Sequence, residues 1–561
     1  MKNKRLLIVG GVAGGASCAA RARRISEEAQ IIVFERGPYV SFANCGLPYY
    51  VGNVITDEDD LLVATEELFR ERFNIEVRTR HNVRSVVPEK KAIQVEDLTT
   101  GKIYTENYDA LVLSPGSAPL RPDLPGIDLP GIFTLWTIPD TREIIAWVKG
   151  RGVRRAAVVG GGFIGLEMAE NLKKIGIQVT VIEMQNHVMP ALDPEMGNYV
   201  NRYLKSKEIE LCLGSPVSGF KQNPDGTLTT SLQSGDEVAA DMVLLSVGVR
   251  PRIALAEAAG LKIGEHGGIL VDDRMQTSDD HIWAVGDAVE TKDYITGLST
   301  MVPLAGPANR QGRLAADVIL GDGQSNTKFR GVQATSVCGV LGMTIASTGM
   351  SEKQINRLFG KGITIPYEKI YLHPAHHAGY YPDAKTISMK LLFRKDNGKI
   401  LGAQAVGMEG VEKRIDVISM AIQKEGTVFD LEEAELCYAP QYGSAKDPVN
   451  LAGMIAANFL RGFTEVAHWE NLKEISPLVL DVRDPDEFEK GHVKNAVNIP
   501  LPAIRERMHE LPKDREIWAH CVVGIRSYFA TRILSQNGFN AKNLSGGYLT
   551  YRSVKSIKNL P

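Results

Sequence analysis

Cysteine is scarce in this chain of 561 residues, and no two of its six cysteines stand at the close spacing of a redox pair or a zinc site. Cys18, Cys45, Cys212, Cys338, Cys437 and Cys521 are scattered, which excludes a secreted disulfide framework and gives no reason to expect a metal. Free thiols fit a reducing compartment, so a cytoplasmic location is expected. Long apolar runs are missing too. The uncharged run Gly331 to Met350 is broken by Gly, Ser, Thr and Gln, and reads as short strands rather than a membrane span. The opening MKNKRLLIVG runs straight into a strand-like segment, without the apolar core and cleavage site of a secretory leader. Charge of one sign is not in excess either. A net charge of −3 gives no general reason to expect nucleic acid or an anionic membrane as partner. What is present is an ordinary globular balance, 44% hydrophobic and 23% charged. The length suggests roughly three or four domains.

Two segments resemble each other. Residues 5–36, RLLIVGGVAGGASCAARARRISEEAQIIVFER, and residues 155–184, RAAVVGGGFIGLEMAENLKKIGIQVTVIEM, each read as strand, Gly-rich turn, helix and second strand ending near a Glu. Glycines permit the tight turn and let the backbone approach a pyrophosphate, while the helix N-terminus supplies N–H donors. Glu35 and Glu183 lie about twenty residues past their glycines, where a carboxylate meets a ribose diol. The second copy carries Gly160, Gly162 and Gly165. In the first, Gly10 and Gly15 are present but Val12 takes the middle glycine position.

After the second copy, TSDDHIWAVGDA (277–288) reads as an apolar strand ending in Gly286-Asp287, which can aim a carboxylate at a ligand polyol. With LVLSPGSAP (111–119), these segments resemble the flavoproteins with two dinucleotide-binding domains. That resemblance implies an α/β fold with two Rossmann-like dinucleotide-binding domains, one for FAD and one for NAD(P)H, followed by an α+β dimerisation domain. The FAD domain is expected at 1–120 and 247–327, the NAD(P)H domain at 121–246 and the dimerisation domain at 328–450. Gly10, Val12, Ala13, Gly14, Gly15, Glu35 and Arg36 would cradle FAD, with Ser114, Pro115, Gly116, Gly286 and Asp287. Gly160, Gly162, Phe163, Ile164, Gly165, Glu167, Glu183 and Gly248 would serve the nicotinamide side. The donor is NADH or NADPH; a carboxylate at Glu183 repels a 2′-phosphate and favours NADH.

Residues 447–470 read as a helix and then a linker, with 451–470 taken as the connection. Beyond it, PLVLDVRDPDEFEKGHVKNAVNIP (477–500) and EIWAHCVVGIRSYFATRIL (516–534) resemble a rhodanese domain, an α/β unit expected at 471–561. Cys521, Gly524, Arg526 and Ser527 complete its C-x-x-G-x-R-S pattern. Such a loop turns N–H groups toward the sulfur at the start of a helix and favours an anionic persulfide.

Cys45 sits in SFANCGLP, directly after the first dinucleotide unit. Three readings compete: a packed cysteine, a peroxidase or oxidase thiol cycling through sulfenic acid, and a thiol that holds half of a substrate as a mixed disulfide. Flavoprotein NADH peroxidases and oxidases carry a His in the Gly-rich turn; the matching residue here is Ala13. Downstream, Ser17, Arg21 and Arg24 share one helix face, within a run of three arginines in four residues. Arginine forks suit phosphate. A substrate with several phosphates and a distal sulfur fits, and coenzyme A has both.

VGGVAGG, SFANCGLPY and YAPQYGSAKDPVN together resemble the coenzyme A-disulfide reductases, in the branch with an appended rhodanese domain. The resemblance implies a mixed disulfide between Cys45 and CoA. It implies a CoA site of Ser17, Arg21, Arg24, Ser41, Asn44 and Asn309, and a homodimer whose partner subunit brings Tyr380, Tyr438 and Lys446 to the thiol. Sulfane-sulfur compounds, CoA disulfide and CoA persulfide are the expected substrates, with Cys521 passing sulfur and Arg526 beside it. A rhodanese domain that serves only for docking is the alternative of another class.

Overall fold

The computed structural model describes residues 4–321 and 327–558, so the expected domain limits near 327 and 561 border or fall on residues outside the described ones. Two compact units result, one of residues 1–182 and 216–334, the other of 183–215 and 335–561.

In the first unit the strand Arg5–Val9 is apolar and buried after its first residue, as a parallel strand covered on both faces must be. It lies between Gln30–Phe34 and Ala110–Leu113, with Glu76–Arg78 and Ile282–Ala284 at the edges, all parallel. Helix Ala13–Ile25 makes the crossover. The second copy repeats this with Arg155–Val159, helix Phe163–Lys174 and Gln178–Glu183, joined by Met242–Leu245 and Ile132–Phe133. Both glycine turns are enforced by backbone crowding. A Cβ on Gly15 would lie 1.9 Å from the Gly10 carbonyl oxygen, and one on Gly165 would lie 2.0 Å from that of Gly160. Gly162 has no heavy atom within 4 Å of its Cβ position, which leaves room for a ligand above the turn.

The second unit holds two sheets. One is antiparallel, in the order Ser336–Val340, Met343–Gly349, Ile400–Gly407, Ser388–Arg394, Tyr367–Leu372. The other is parallel, in the order Glu465–Ala467, Ala541–Leu544, Ile517–His520, Leu478–Asp481, Val497–Asn498. The expected linker at 451–470 is therefore structure of its own. Helix Pro448–Leu460 is capped by Asp447 and buries Val449, Ala452, Ala456 and Ala457. Glu465–Ala467 then enters the C-terminal sheet as its edge strand. Val466 and Ala467 were too short an apolar signal to stand out in sequence.

The C-terminal domain is bolted to the antiparallel sheet. Tyr371 N donates to Ser545 Oγ (2.8 Å), His373 bridges Ser388 and Thr550 (both 2.9 Å), and His468 meets Glu368 (2.8 Å). Lys369 joins Glu352 (2.7 Å) and Glu470. Beside it the fully buried Lys390 contacts Asp193 (2.8 Å), Glu195 (2.6 Å) and Glu352 (2.7 Å). Asp193, Glu195 and Glu352 have the spacing of metal ligands, but the ammonium of Lys390 already stands among them. Burial alone would depress that ammonium's pKa; the carboxylates hold it well above its usual value.

Replacing Lys390 by Met should leave three carboxylates facing one another. Breaking a buried pair from one side costs on the order of 3–5 kcal/mol, so denaturant unfolding of the full chain should shift strongly to lower denaturant. An unshifted transition would show that the network contributes nothing to stability.

Candidate functional site

Cys45 occupies a one-turn helix, Asn44–Gly46, that leads directly into helix Leu47–Val51. The preceding chain is anchored on the first glycine turn: Ser41 N donates to Gly11 O (2.8 Å), and Ser41 O accepts from Val63 N (2.9 Å). Ser41 takes a left-handed φ of 48°, a conformation a side chain adopts at a cost and one found at functional turns. Gly46 is required because a Cβ there would lie 2.7 Å from Leu61. The Cys45 thiol is exposed, with Asn44 Oδ1 at 3.6 Å as its recorded partner. Burial around the sulfur, then the negative fields of Glu167 and Asp287, push its pKa up. These surroundings disfavour the thiolate.

Glu167 lies in the first helical turns after the second glycine turn, and Tyr49, one turn beyond Cys45, donates to its Oε1 at 3.5 Å. Burial, with Glu170 adding to it, pushes Glu167 up to about 7 against the Tyr49 hydrogen bond. The two helices meet closely: a Cβ on Gly52 would lie 2.2 Å from Asn171 Oδ1. The thiol segment thus docks on the helix of the second dinucleotide unit. Tyr49 escaped the sequence reading, although its i+4 offset from Cys45 was there to be seen.

The dinucleotide cradles form as the motifs require. Glu35 ends the second strand with Oε2 on Gly11 N (2.9 Å) and Oε1 on Gly37 N (2.7 Å). Ser114 N is held by Val9 O (2.8 Å), and Gly116 and Gly248 take positive φ; Gly116 O, next to Pro115, accepts from Arg252 N (3.0 Å), and the charge of Arg252 is disfavoured by burial and then by the exposed Arg36. Asp287 follows Gly286, whose N–H donates to Gln311 (2.8 Å); Ser117 Oγ donates to Asp287 Oδ2 (2.9 Å), and burial raises the Asp287 pKa. Val12 is the N-cap of helix Ala13–Ile25 and is not fully buried. Gly14 is packed near Ser114 and Ala308. In the second copy Phe163 and Ile164 begin the helix half-buried, and Glu183 is buried at the strand end with Oε1 on Gln185 N (2.9 Å). A carboxylate at each strand end, open space over Gly162 and a carboxylate beside Gly286 fit two dinucleotides.

The expected CoA residues are partly engaged with one another. Ser17 donates to Asn309, and Arg21 pairs with Asp317 at 2.5 Å. These contacts cross between helices Ala13–Ile25 and Ala305–Leu320, which touch so closely that a Cβ on Gly312 would lie 2.1 Å from Gly14 O. Arg24 is exposed. Arg23, in the same run, is instead structural: buried, it donates to the carbonyls of Phe73, Ser26, Glu27 and Asn74. Of the three arginines that suggested anion binding, Arg24 is thus exposed, Arg21 is engaged by Asp317 and Arg23 is buried.

In the second unit Tyr380 and Tyr438, from separate loops, share a hydrogen bond of 2.8 Å between their hydroxyls. They are 76% and 49% exposed, so both rings reach the surface. Tyr380 is raised by that shared bond. Lys446 is exposed at the end of the same loop as Tyr438.

In the C-terminal domain Cys521 is buried after the strand Ile517–His520. Its Sγ accepts from Gly524 N (3.2 Å) and Ser527 Oγ (3.7 Å). Tyr548 N holds the Cys521 carbonyl (2.8 Å), and Gly547 is needed there because a Cβ would meet that oxygen at 2.5 Å. Asp481 binds Arg483 (2.6 Å), whose guanidinium lies 4.4 Å from the Tyr548 ring centre. Arg526 is turned to Glu487 (2.7 and 2.8 Å) and Asp484 (3.2 Å), so its charge near the sulfur is shared with two carboxylates. Burial pushes His520 down to about 4, leaving it neutral beside Asp481.

Residues 4–312 match the pyridine nucleotide-disulphide oxidoreductase model, 335–447 its dimerisation domain and 465–553 the rhodanese-like domain. The crystal structure of reduced Bacillus anthracis CoADR-RHD is similar over 100% of this chain and 99% of that one, at 46% identity and a TM-score of 0.96. A NAD-dependent persulfide reductase from A. fulgidus is similar over 98% and 100%, at 37% identity and a TM-score of 0.90. A coenzyme A disulfide reductase of Staphylococcus haemolyticus is 33% identical over 80% of this chain and 98% of its own length. No helix among the described residues is long and apolar enough to cross a membrane. With two glycine-turn units, a lone thiol whose segment docks on the helix of the second and an appended loop that donates to the Cys521 sulfur, the chain belongs to the pyridine nucleotide-disulphide oxidoreductases and carries a rhodanese-like domain at its C-terminal end.

Proposed function

We propose that the chain is an FAD-dependent, NADH-using reductase of CoA disulfide and CoA persulfide, working as a homodimer, with the rhodanese-like domain handling sulfane sulfur through Cys521. The observation that carries this reading is the exposed thiol of Cys45, whose segment is anchored on the first glycine turn through Ser41 and docks on the helix of the second dinucleotide unit, with no second cysteine at close spacing. A one-thiol site needs the substrate to supply the other sulfur. Ala13 in the first glycine turn offers no acid–base group for peroxide chemistry. The names of the similar proteins support the same substrates.

Gly10, Gly15, Glu35 and Asp287 would hold FAD, and Gly160, Gly162, Gly165 and Glu183 the nicotinamide dinucleotide. FAD, when bound, supplies two-electron passage from NADH to sulfur. The chain's own groups govern sulfur and proton. Cys45 Sγ, as thiolate, attacks one sulfur of CoA disulfide; the substrate S–S bond breaks, a Cys45–CoA disulfide forms and one CoA thiol leaves. Two electrons then break the new disulfide. The sum is NADH, CoA disulfide and one proton giving NAD⁺ and two CoA thiols. With CoA persulfide, hydride from NADH yields CoA thiol and hydrosulfide. Because its surroundings disfavour the Cys45 thiolate, hydrogen-bond donors from outside its segment would stabilise that anion, and the phenols Tyr380 and Tyr438 of the partner subunit suit that task. Glu167 holds a proton near neutrality one hydrogen bond from Tyr49, and Arg24 with Arg21 would meet CoA phosphates once Asp317 yields Arg21. Cys521 would load CoA with sulfane sulfur for Cys45.

Mass spectrometry of the non-reduced protein should show a CoA-sized adduct on Cys45 that Cys45→Ser lacks; a sulfenic or sulfinic species alone would favour an oxidase. Cys521→Ser should reduce NADH turnover with polysulfide and leave CoA disulfide turnover near wild type. Equal loss on both, or no loss on either, overturns the relay. Glu167 has a folded pKa above its ordinary value, so its contribution to stability is full below about 4.5 and is lost as pH rises through about 7. Against Glu167→Gln, the wild type should lose stability across that window. Parallel stability profiles would show that burial does not perturb this carboxyl.

A further inference from the structure

The loops that carry Tyr380 and Tyr438 are joined by main-chain bonds and, beneath them, by a buried charged pair. Each phenol is exposed, and the two loops come from distant parts of the second unit. Their stems meet at one buried side chain. Arg414, in helix Val411–Gln423, donates through Nη2 to His376 O (2.7 Å), four residues before Tyr380. The same Nη2 donates to Asp447 Oδ2 (2.8 Å), and Nε reaches Asp447 Oδ1 (3.3 Å). Nη1 binds Gly410 O (3.1 Å), which fixes the fork to its own helix start. Arg414 and Asp447 are both 2% exposed.

Asp447 ends the other loop. It follows Lys446 directly and caps helix Pro448–Leu460, with Oδ1 on Val449 N (3.0 Å). Its own N–H donates to Asn450 (3.1 Å), whose amide reaches back to Ala434 O (2.8 Å), ahead of Tyr438. Between the loops the main chain makes a further link, Ala378 N to Gly443 O (2.9 Å). Gly443 lies against this charge pair: a Cβ there would sit 3.6 Å from Asp447 Oδ2 and 3.8 Å from Arg414 Nη2.

We infer that Arg414, through Asp447, is the positioning residue of the Tyr380–Tyr438 pair: its buried fork ties the two loop stems so that the two hydroxyls meet, and with them Lys446. The inference rests on the proposed role of those phenols at the partner subunit's thiol. The fork geometry is what the task requires. A guanidinium presents several donors in one plane and can bind a carbonyl of one loop and a carboxylate of the other together; an ammonium of similar charge has no such planar reach. Since the pair is buried, its carboxylate loses its charge partner if the arginine is removed, which makes the tie stiff.

The test uses the full-length holoenzyme in four forms: wild type, Arg414→Lys, Tyr438→Phe and the double variant. Turnover of CoA disulfide with NADH and the ultraviolet titration of tyrosine are measured on each. Arg414→Lys and Tyr438→Phe should each lower kcat by about tenfold or more, with KM for NADH unmoved, and the double variant should be no slower than the slower single. In both single variants the titration assigned to Tyr380 should move down, because the shared hydroxyl bond is lost. Multiplying losses in the double variant, or an unmoved Tyr380 titration in Arg414→Lys, overturns the positioning role. If Tyr438→Phe keeps full turnover, it is the proposed role of the phenols that fails, and the titration still decides whether Arg414 holds the pair. Should Arg414→Lys not fold, Asp447→Asn keeps the shape and removes the charge. It should show the same non-additive loss with Tyr438→Phe, and an additive loss there overturns the inference equally.

Discussion

The negative field around Cys45 is the constraint to which the rest of the site answers. A sulfur nucleophile works as thiolate, yet burial, and then the charges of Glu167 and Asp287, favour the thiol here. Neither an arginine nor a long helix start inside its own segment relieves this; the segment offers a three-residue turn and an Asn side chain. Stabilisation of the anion must then arrive with other components of the working enzyme. That requirement gives a physical reason for two phenols that the chain presents to solvent as a bonded pair. It also gives a reason to keep their geometry fixed by a buried charge, since a donor that wanders does not lower the energy of an anion formed only briefly.

The negative groups have their own purposes. Asp287 sits just past a strand end, held by Ser117, and Glu167 where a helix of the second dinucleotide unit reaches the thiol segment. A carboxyl poised near neutrality between a tyrosine and a cysteine can hold the proton that disulfide reduction consumes. On the proposed reading, the Glu167 carboxyl that disfavours the Cys45 thiolate would also serve the proton side of the reaction. Reluctance has a use: a thiol that ionises only when the site is assembled is protected from adventitious oxidation.

Much of this was legible in the chain. The two glycine turns, their strands and helices, the terminal carboxylates and the lone cysteine are local patterns, and the crowding at Gly15 and Gly165 shows why the patterns have so little freedom. The rhodanese-like loop was local in the same sense. What the chain concealed was partnership across distance. Arg23 looks like its neighbours Arg21 and Arg24 until four carbonyls are found around it. Asp317 lies 296 positions from Arg21, and Asp447 lies 33 from Arg414, so neither pair leaves a periodic signal. The segment 451–470 failed as a linker for a related reason: three residues of edge strand are too few to show alternation, and what fixes them is a sheet completed by Ala541–Leu544.

That correction changes the argument about sulfur transfer. A domain on a flexible tether raises the local concentration of its active group by roaming. Here the C-terminal domain has no such tether, and its seat on the antiparallel sheet is made of Tyr371 to Ser545, His373 to Thr550, His468 to Glu368 and Lys369 to Glu470. Buried charges resist separation, because pulling either partner away strands the other in a poorly solvating interior. Cys521 is itself buried, with its sulfur held by Gly524 and Ser527. The moving part of any relay must then be the carrier. Coenzyme A fits on chemical grounds: its thiol ends a long flexible arm, while its phosphates give arginines a fixed point to hold. A rigidly seated loop and a mobile thiol arm divide between them what a swinging domain would otherwise have to do alone.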